Sequence, residues 1–276
     1  MKIIKSSLFV ALVVGVLSVS SIASDSHNNA EEICKGFGPQ TPRDIDNIFG
    51  ENDTVFSLAP SSKNMNLCNI HFHKNAEHKS KYFSIYAGEG SHGYDSGYKC
   101  NISKNLSASE LKPTKEKICQ SKHGDLVPGD TIEVHWVFTT CDVKPGESLS
   151  SCVSKSCANP NLRVETHVFT LVNDSSALDF NELSYDGNIV NGLHQPKALP
   201  KNTGKAVEFT GSTTGPSYSD SKCSPYQVSW SVHPKCAKID INSVGKWCAS
   251  GNVFKEDHAH GVRKLVTDSK LLSEIK

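Results

Sequence analysis

Five consecutive residues, Asn69-Ile70-His71-Phe72-His73, alternate polar and apolar without a break. Period two is the repeat of a β-strand, whose successive side chains leave opposite faces, so Asn69, His71 and His73 share one face and Ile70 and Phe72 the other. On a helix the same spacing would aim the two imidazoles apart. Glu133-Val134-His135-Trp136-Val137-Phe138 obeys the same rule and sets Glu133, His135 and Val137 side by side. The chain is thereby committed to a sheet with a histidine-bearing face. Runs rich in β-branched and aromatic residues at 81–87, 131–139, 162–172, 206–210, 227–232 and 238–241 predict further strands, separated by stretches rich in Gly, Ser, Asn and Pro. Helix signals are few: 106–117, and either 238–248 or 269–276. No linker divides the chain, and the expected class is a mainly β (α+β) single domain.

Ten cysteines, an even count with no Cys-x-x-Cys pair, predict disulfides in preference to a thiolate zinc site or a redox centre. Their partners are not readable from spacing. Lys2 and Lys5, an apolar run at 8–17 and small residues at 18–24 have the three-part order of a secretory signal peptide, with cleavage expected after Ala23 or Ser24. Ten apolar residues are too few to span a bilayer. The expected organisation is a signal peptide at 1–24 and a catalytic domain at 25–276, exported to the periplasm or the extracellular space, where thiols pair. No membrane association is expected once the signal is removed. The formal charge of +0 becomes −2 without Lys2 and Lys5, which gives no reason to expect a nucleic acid or an anionic membrane as partner. Oligomeric state is not legible. Asn52, Asn101, Asn105 and Asn173 head Asn-x-Ser/Thr sequons, which matter only in a eukaryotic secretory pathway.

Three histidines, His71, His73 and His135, are the candidate ligands of a catalytic Zn²⁺. Three neutral imidazoles leave the fourth tetrahedral position open to water, the arrangement of a hydrolytic or hydrating site. Asn69 and Glu133 each stand two residues before a ligand, placed to accept the imidazole N–H that faces away from the metal. Two other patterns compete. Glu165-Thr166-His167 repeats Glu-x-His, and His258-Ala259-His260 repeats His-x-His, where solvent exposure is the expectation. His71-x-His73 followed by Glu77 also fits the metal motif of a cupin, which would bind manganese or iron through three His and one Glu and act as an oxidase, dioxygenase or isomerase. That motif's flanking glycines are replaced by Met65 and Ser84, and Pro128-Gly129 lies at the wrong spacing from His135.

His-x-His, then Glu77-His78, then Glu-x-His-x-Val resembles the zinc signature of α-type carbonic anhydrases. With its compressed spacing and many cysteines it is most similar to the δ class. Gly38-Pro39-Gln40-Thr41-Pro42-Arg43-Asp44-Ile45, Gly211-Ser212-Thr213-Thr214-Gly215-Pro216 and Gln227-Val228-Ser229-Trp230 resemble three further segments, in order, from about residue 34 to 263. The resemblance implies a large, mostly antiparallel twisted central sheet with few short helices and disulfide-rich loops. It implies His71, His73 and His135 as ligands, with Trp136-Val137 favouring His135 over His167. It implies that Thr213 and Glu77 orient a zinc-bound hydroxide, and that Val137, Thr214 and Trp230 line the substrate pocket. The implied reaction is reversible hydration of carbon dioxide to bicarbonate and a proton. A catalytically inactive binding protein of the same fold is the alternative, although all the candidate groups remain. The chain departs from the pattern in three ways: no leucine precedes the threonine pair, Glu77 follows His73 by only four residues, and no shuttle histidine is evident. His78, His92, His123 and His194 are expected to be ordinary surface histidines.

Overall fold

The computed structural model describes residues 34–90, 96–121, 124–213, 218 and 222–276. The expected signal peptide, His92, His123 and Thr214 lie outside the described residues.

Six strands form one mixed sheet: β1 (Asn66–Lys74), β2 (Thr131–Thr139), β3 (Leu162–Val172), β4 (Val207–Ser212), β5 (Gln227–Val232) and β6 (Ala237–Asp240). Their spatial order is β1-β2-β3-β5-β4. β1/β2, β2/β3 and β4/β5 are antiparallel; β5 and β6 run parallel to successive halves of β3, at Arg163–Thr166 and Phe169–Val172. The long runs at 131–139 and 162–172 form strands over those very residues. The run at 81–87 yields only Ile85–Tyr86, paired with Tyr98–Lys99. The segment 106–117 is a set of turns and no helix. Ser107 caps the first turn by accepting the Glu110 N–H, but Pro113 lacks the N–H that would carry a helix onward. The one α-helix among the described residues, α1 (Ile241–Ala249), starts where the Asp240 side chain accepts the Asn242 N–H. At 269–276 there is only a 3₁₀ turn, Ser269–Leu271.

Period two sorts the side chains into two cores. Ile70, Phe72, Val134, Trp136, Phe138, Phe169 and Leu171 leave one face and pack against Ile241, Val244 and Trp247 of α1 and against Phe180. Val137, Val164, Val168, Phe209, Val228, Trp230 and Val232 leave the other. A fully buried side chain of this size contributes about 1.5–3 kcal/mol, so each face is held by many such terms.

All ten cysteines are paired: Cys34–Cys223, Cys68–Cys152, Cys100–Cys236, Cys119–Cys248 and Cys141–Cys157. Four of these close loops of 84 to 189 residues. By loop-closure entropy each removes roughly 4–5 kcal/mol of freedom from the unfolded chain, which holds down long loops with little regular structure. Among the described residues no helix is long and apolar enough to cross a membrane.

Candidate metal centre

The antiparallel register of β1 and β2 sets His71 directly opposite His135, with Asn69 opposite Val137 and His73 opposite Glu133. Directly opposed residues share a face, so the three imidazoles converge, and their nearest ring nitrogens all lie within 4.8 Å of one another. The hydrogen bonds behind them decide the tautomers. Asn69 Nδ2 donates to the Gly146 carbonyl at 3.0 Å, which turns Asn69 Oδ1 toward His71 Nδ1 at 2.8 Å as an acceptor. Glu133 Oε1 accepts from His135 Nε2 at 2.7 Å. With both rings neutral the protons sit on His71 Nδ1 and His135 Nε2, and His71 Nε2 faces His135 Nδ1 across 3.1 Å with a lone pair on each.

Two acceptors pointed at each other repel unless a cation lies between them. Tetrahedral coordination with Zn–N bonds of 2.0–2.1 Å separates the nitrogens by about 3.3 Å. The third ring is 4.9 Å centroid to centroid from His135 and belongs to His73, whose buried Nδ1 has no hydrogen-bond partner among the described residues. Burial and the mutual proximity of the rings push His71 and His73 well below the ordinary imidazole pKa, which keeps them neutral and ready to bind. The donor set thus fits a divalent metal that accepts imidazole.

Glu133 is fully buried. Burial alone would raise its carboxyl, but His78 and His135 hold it well below the usual carboxylate range. His78 is buried rather than on the surface: its Nδ1 meets Glu133 Oε1 at 2.9 Å, its backbone N–H donates to Glu133 Oε2 at 3.2 Å, and Nε2 meets Thr41 Oγ1 at 3.2 Å. The expectation of an ordinary surface histidine at this position is thereby overturned. Asn75, at φ +68°, makes the tight turn that lets Glu77 follow His73 so closely. Asparagine tolerates that left-handed conformation better than most residues. Glu77 Oε1 comes 3.7 Å from His73 Nε2, and burial raises its pKa. It does not join the converging nitrogens, where a cupin would use it as the fourth ligand.

A cavity of about 650 Å³ opens over the three rings. Asn69, Glu77, Val137, Thr213 and Trp230 all line it, so the structure brings together every described candidate except Glu133, which stands behind His135. Thr213 is nearly buried and gives its N–H to the Tyr226 carbonyl at 2.8 Å. The preceding Ser212 is held by the Thr41 N–H and the Trp230 indole at 3.3 Å each. His167 leaves the opposite face of the sheet, beside Trp136, and does not enter the cavity. His194 bonds the Tyr185 hydroxyl outside the cavity. Glu256, His260 and Arg263 are among the wall residues that escaped the sequence reading as such. The His-x-His at 258–260 is only half exposed, and His260 is raised above its ordinary pKa by its bond to Glu256.

The model of the family described as Delta carbonic anhydrase matches residues 62–243. No curated protein sequence matches the chain. Among solved structures, a hyperthermostable carbonic anhydrase identified from an active hydrothermal vent chimney is 15% identical, with 90% of each chain covered and a TM-score of 0.34. The α-carbonic anhydrase from Thermovibrio ammonificans, solved in complex with the inhibitor sulfanilamide, is 14% identical over 86% of this chain and 87% of that one, with a TM-score of 0.30. The Photobacterium profundum α-carbonic anhydrase is 14% identical over 86% and 88%, with a TM-score of 0.28. Likeness this loose carries no argument of its own. The family match spans both histidine strands, the strand of Trp230 and the threonine of the loop before it, and on that match the chain belongs to the delta carbonic anhydrase family.

Proposed function

We propose that the chain is a zinc-dependent carbonic anhydrase that interconverts carbon dioxide and water with bicarbonate and a proton. The observation that carries this reading is the pair of acceptor nitrogens, His71 Nε2 and His135 Nδ1, facing each other at 3.1 Å. His71, His73 and His135 would hold Zn²⁺. Zinc so held would supply the acidification of a bound water to near neutrality, an effect for which carbonic anhydrase is itself the standard case.

The chain's own residues do the rest. Asn69 and Glu133 keep the outward nitrogens of His71 and His135 protonated, so that the inward lone pairs stay aimed at the metal. Glu133, held in its ionised form, also brings one negative charge next to the three rings. The Thr213 hydroxyl would accept a hydrogen bond from the attacking water and donate its own O–H as a hydrogen bond to Glu77, which orients the nucleophile toward carbon. Glu77 accepts that hydrogen bond best when ionised; its burial opposes ionisation, and the charge of a bound cation would favour it. Val137 and Trp230, with Val164 and Val228, form an apolar wall that suits carbon dioxide better than bicarbonate. Thr214 belongs to the same proposed pocket.

Residues 1–24 are proposed as a signal peptide, with residues 25–276 working in the periplasm or outside the cell. Five disulfides accord with an oxidising compartment. The test is a carbon dioxide hydration assay on the oxidised chain before and after chelation and zinc return. Activity that disappears with the metal and comes back with it supports the reading. A folded, zinc-loaded chain with no activity above buffer refutes it.

A further inference from the structure

β1 carries two of the proposed ligands and is the outer strand of the sheet. His71 and His73 pair inward with β2, so the intervening Phe72 peptide and the Lys74 N–H point to the open edge. An edge of this kind presents free donors and acceptors. Here a short segment after α1 satisfies them: the His260 N–H donates to the Phe72 carbonyl and the Lys74 N–H donates to the His260 carbonyl, both at 2.9 Å.

The remaining group, the Phe72 N–H, donates at 3.1 Å to Glu256 Oε1, a carboxylate that is 7% exposed. The same oxygen meets His260 Nε2 at 2.9 Å. Asn252 holds the backbone of Glu256 from both sides, accepting its N–H at 3.1 Å and donating to its carbonyl at 2.8 Å. One fixed oxygen therefore ties the peptide between the two ligand histidines to the ring of His260, which lies 6.2 Å from His71 and 6.1 Å from His73 between centroids.

We propose that Glu256 is a positioning residue of the metal centre: its carboxylate fixes the Phe72 peptide, and with it the aim of His71 and His73, while holding the His260 ring as a cavity wall. This rests on the assignment of those histidines as ligands. Without this carboxylate the open edge of the ligand strand keeps only its two backbone bonds to His260, and the Phe72 N–H between the ligands loses its acceptor. Residues behind the ligands of metal sites typically alter affinity 10–100-fold when removed.

The test compares the full oxidised chain with Glu256→Ala, which removes both bonds, and Glu256→Gln, which keeps the reach and one acceptor oxygen. Glu110→Ala, which breaks a remote pair with Lys238, is the control for general loosening. Zinc release to a chelator is followed in time, and the visible absorption spectrum of the cobalt(II)-substituted chain is recorded. Release about tenfold faster or more in Glu256→Ala, less in Glu256→Gln, with a changed cobalt spectrum and a wild-type record for Glu110→Ala, is the expected result. If Glu256→Ala does not fold, faster release and an altered spectrum in Glu256→Gln support the role, and wild-type values there overturn it. Wild-type release and spectrum in a folded Glu256→Ala also overturn it and leave the ligand assignment standing. A wild-type chain whose zinc uptake is unaffected by His71→Ala overturns both.

Discussion

Glu133-x-His135 in β2 and Glu165-x-His167 in β3 are the same short pattern on neighbouring strands, yet only one faces the cavity. The register decides it: His135 lies opposite Thr166, and His167 opposite Val134, so the two histidines leave opposite faces of the sheet. On the cavity face, Glu133 bonds His135 and frees a lone pair that points at other lone pairs. On the far face, His167 Nδ1 meets Thr203 Oγ1 at 3.0 Å and the ring stacks on His233 with centroids 3.9 Å apart. Glu165 turns to His233 instead, at 3.7 Å. The difference teaches that a carboxylate two residues before a histidine marks a candidate metal site only when a neighbouring strand supplies further imidazoles on that face.

Substitutions can break the comparison, and the largest effect is expected at the ligand itself. His135→Ala should abolish carbon dioxide hydration and leave at most weak zinc binding, while His167→Ala keeps both; zinc content by elemental analysis and a hydration assay check the pair. Equal loss in the two variants would refute the assignment of faces. Next, Thr213→Ala should lower turnover about 100-fold with zinc content unchanged, since removing a group that orients the reacting atoms costs roughly this much. Glu133→Gln should weaken zinc binding about 10–100-fold, read by competition with a chelator, and Glu165→Gln should not alter it.

The smallest effect concerns stability. Burial, and then the neighbouring His233, hold the His167 pKa well below the ordinary value in the folded chain. An unfolded histidine takes up its proton below about pH 6.5. Above that pH neither state is protonated at this position and its contribution is flat; below it the unfolded chain binds the extra proton and stability falls. The urea midpoint should thus decline between about pH 6.5 and 5, and the decline should be shallower in His167→Phe. An identical slope in the two chains would show that another group is responsible.

Much of the site was legible because it is local. Alternation grouped Asn69, His71 and His73 on one side of their strand and Glu133, His135 and Val137 on one side of theirs before any contact was known, and the register of the two strands sets both groups on the same face. Glu256 and His260 were not legible, because they reach β1 from a segment more than 180 residues away in sequence and no local periodicity encodes that meeting. His78 was mistaken for a surface histidine for the same reason: its partner, Glu133, belongs to the next strand. The helix expected at 106–117 failed because residues of adequate local propensity had no apolar face to bury and a proline at 113 to stop them.

By itself the sequence determined the strands of the main sheet, which side chains share a face within each, and the disulfide-forming character of its cysteines, because these follow from short-range geometry and residue chemistry. Only the tertiary structure decided which strands are neighbours, which histidine completes the trio, which cysteines pair and what closes the open edge of β1. Those outcomes depend on register and on contacts between segments far apart in the chain, where the free energy comes from packing and desolvation that no local window contains.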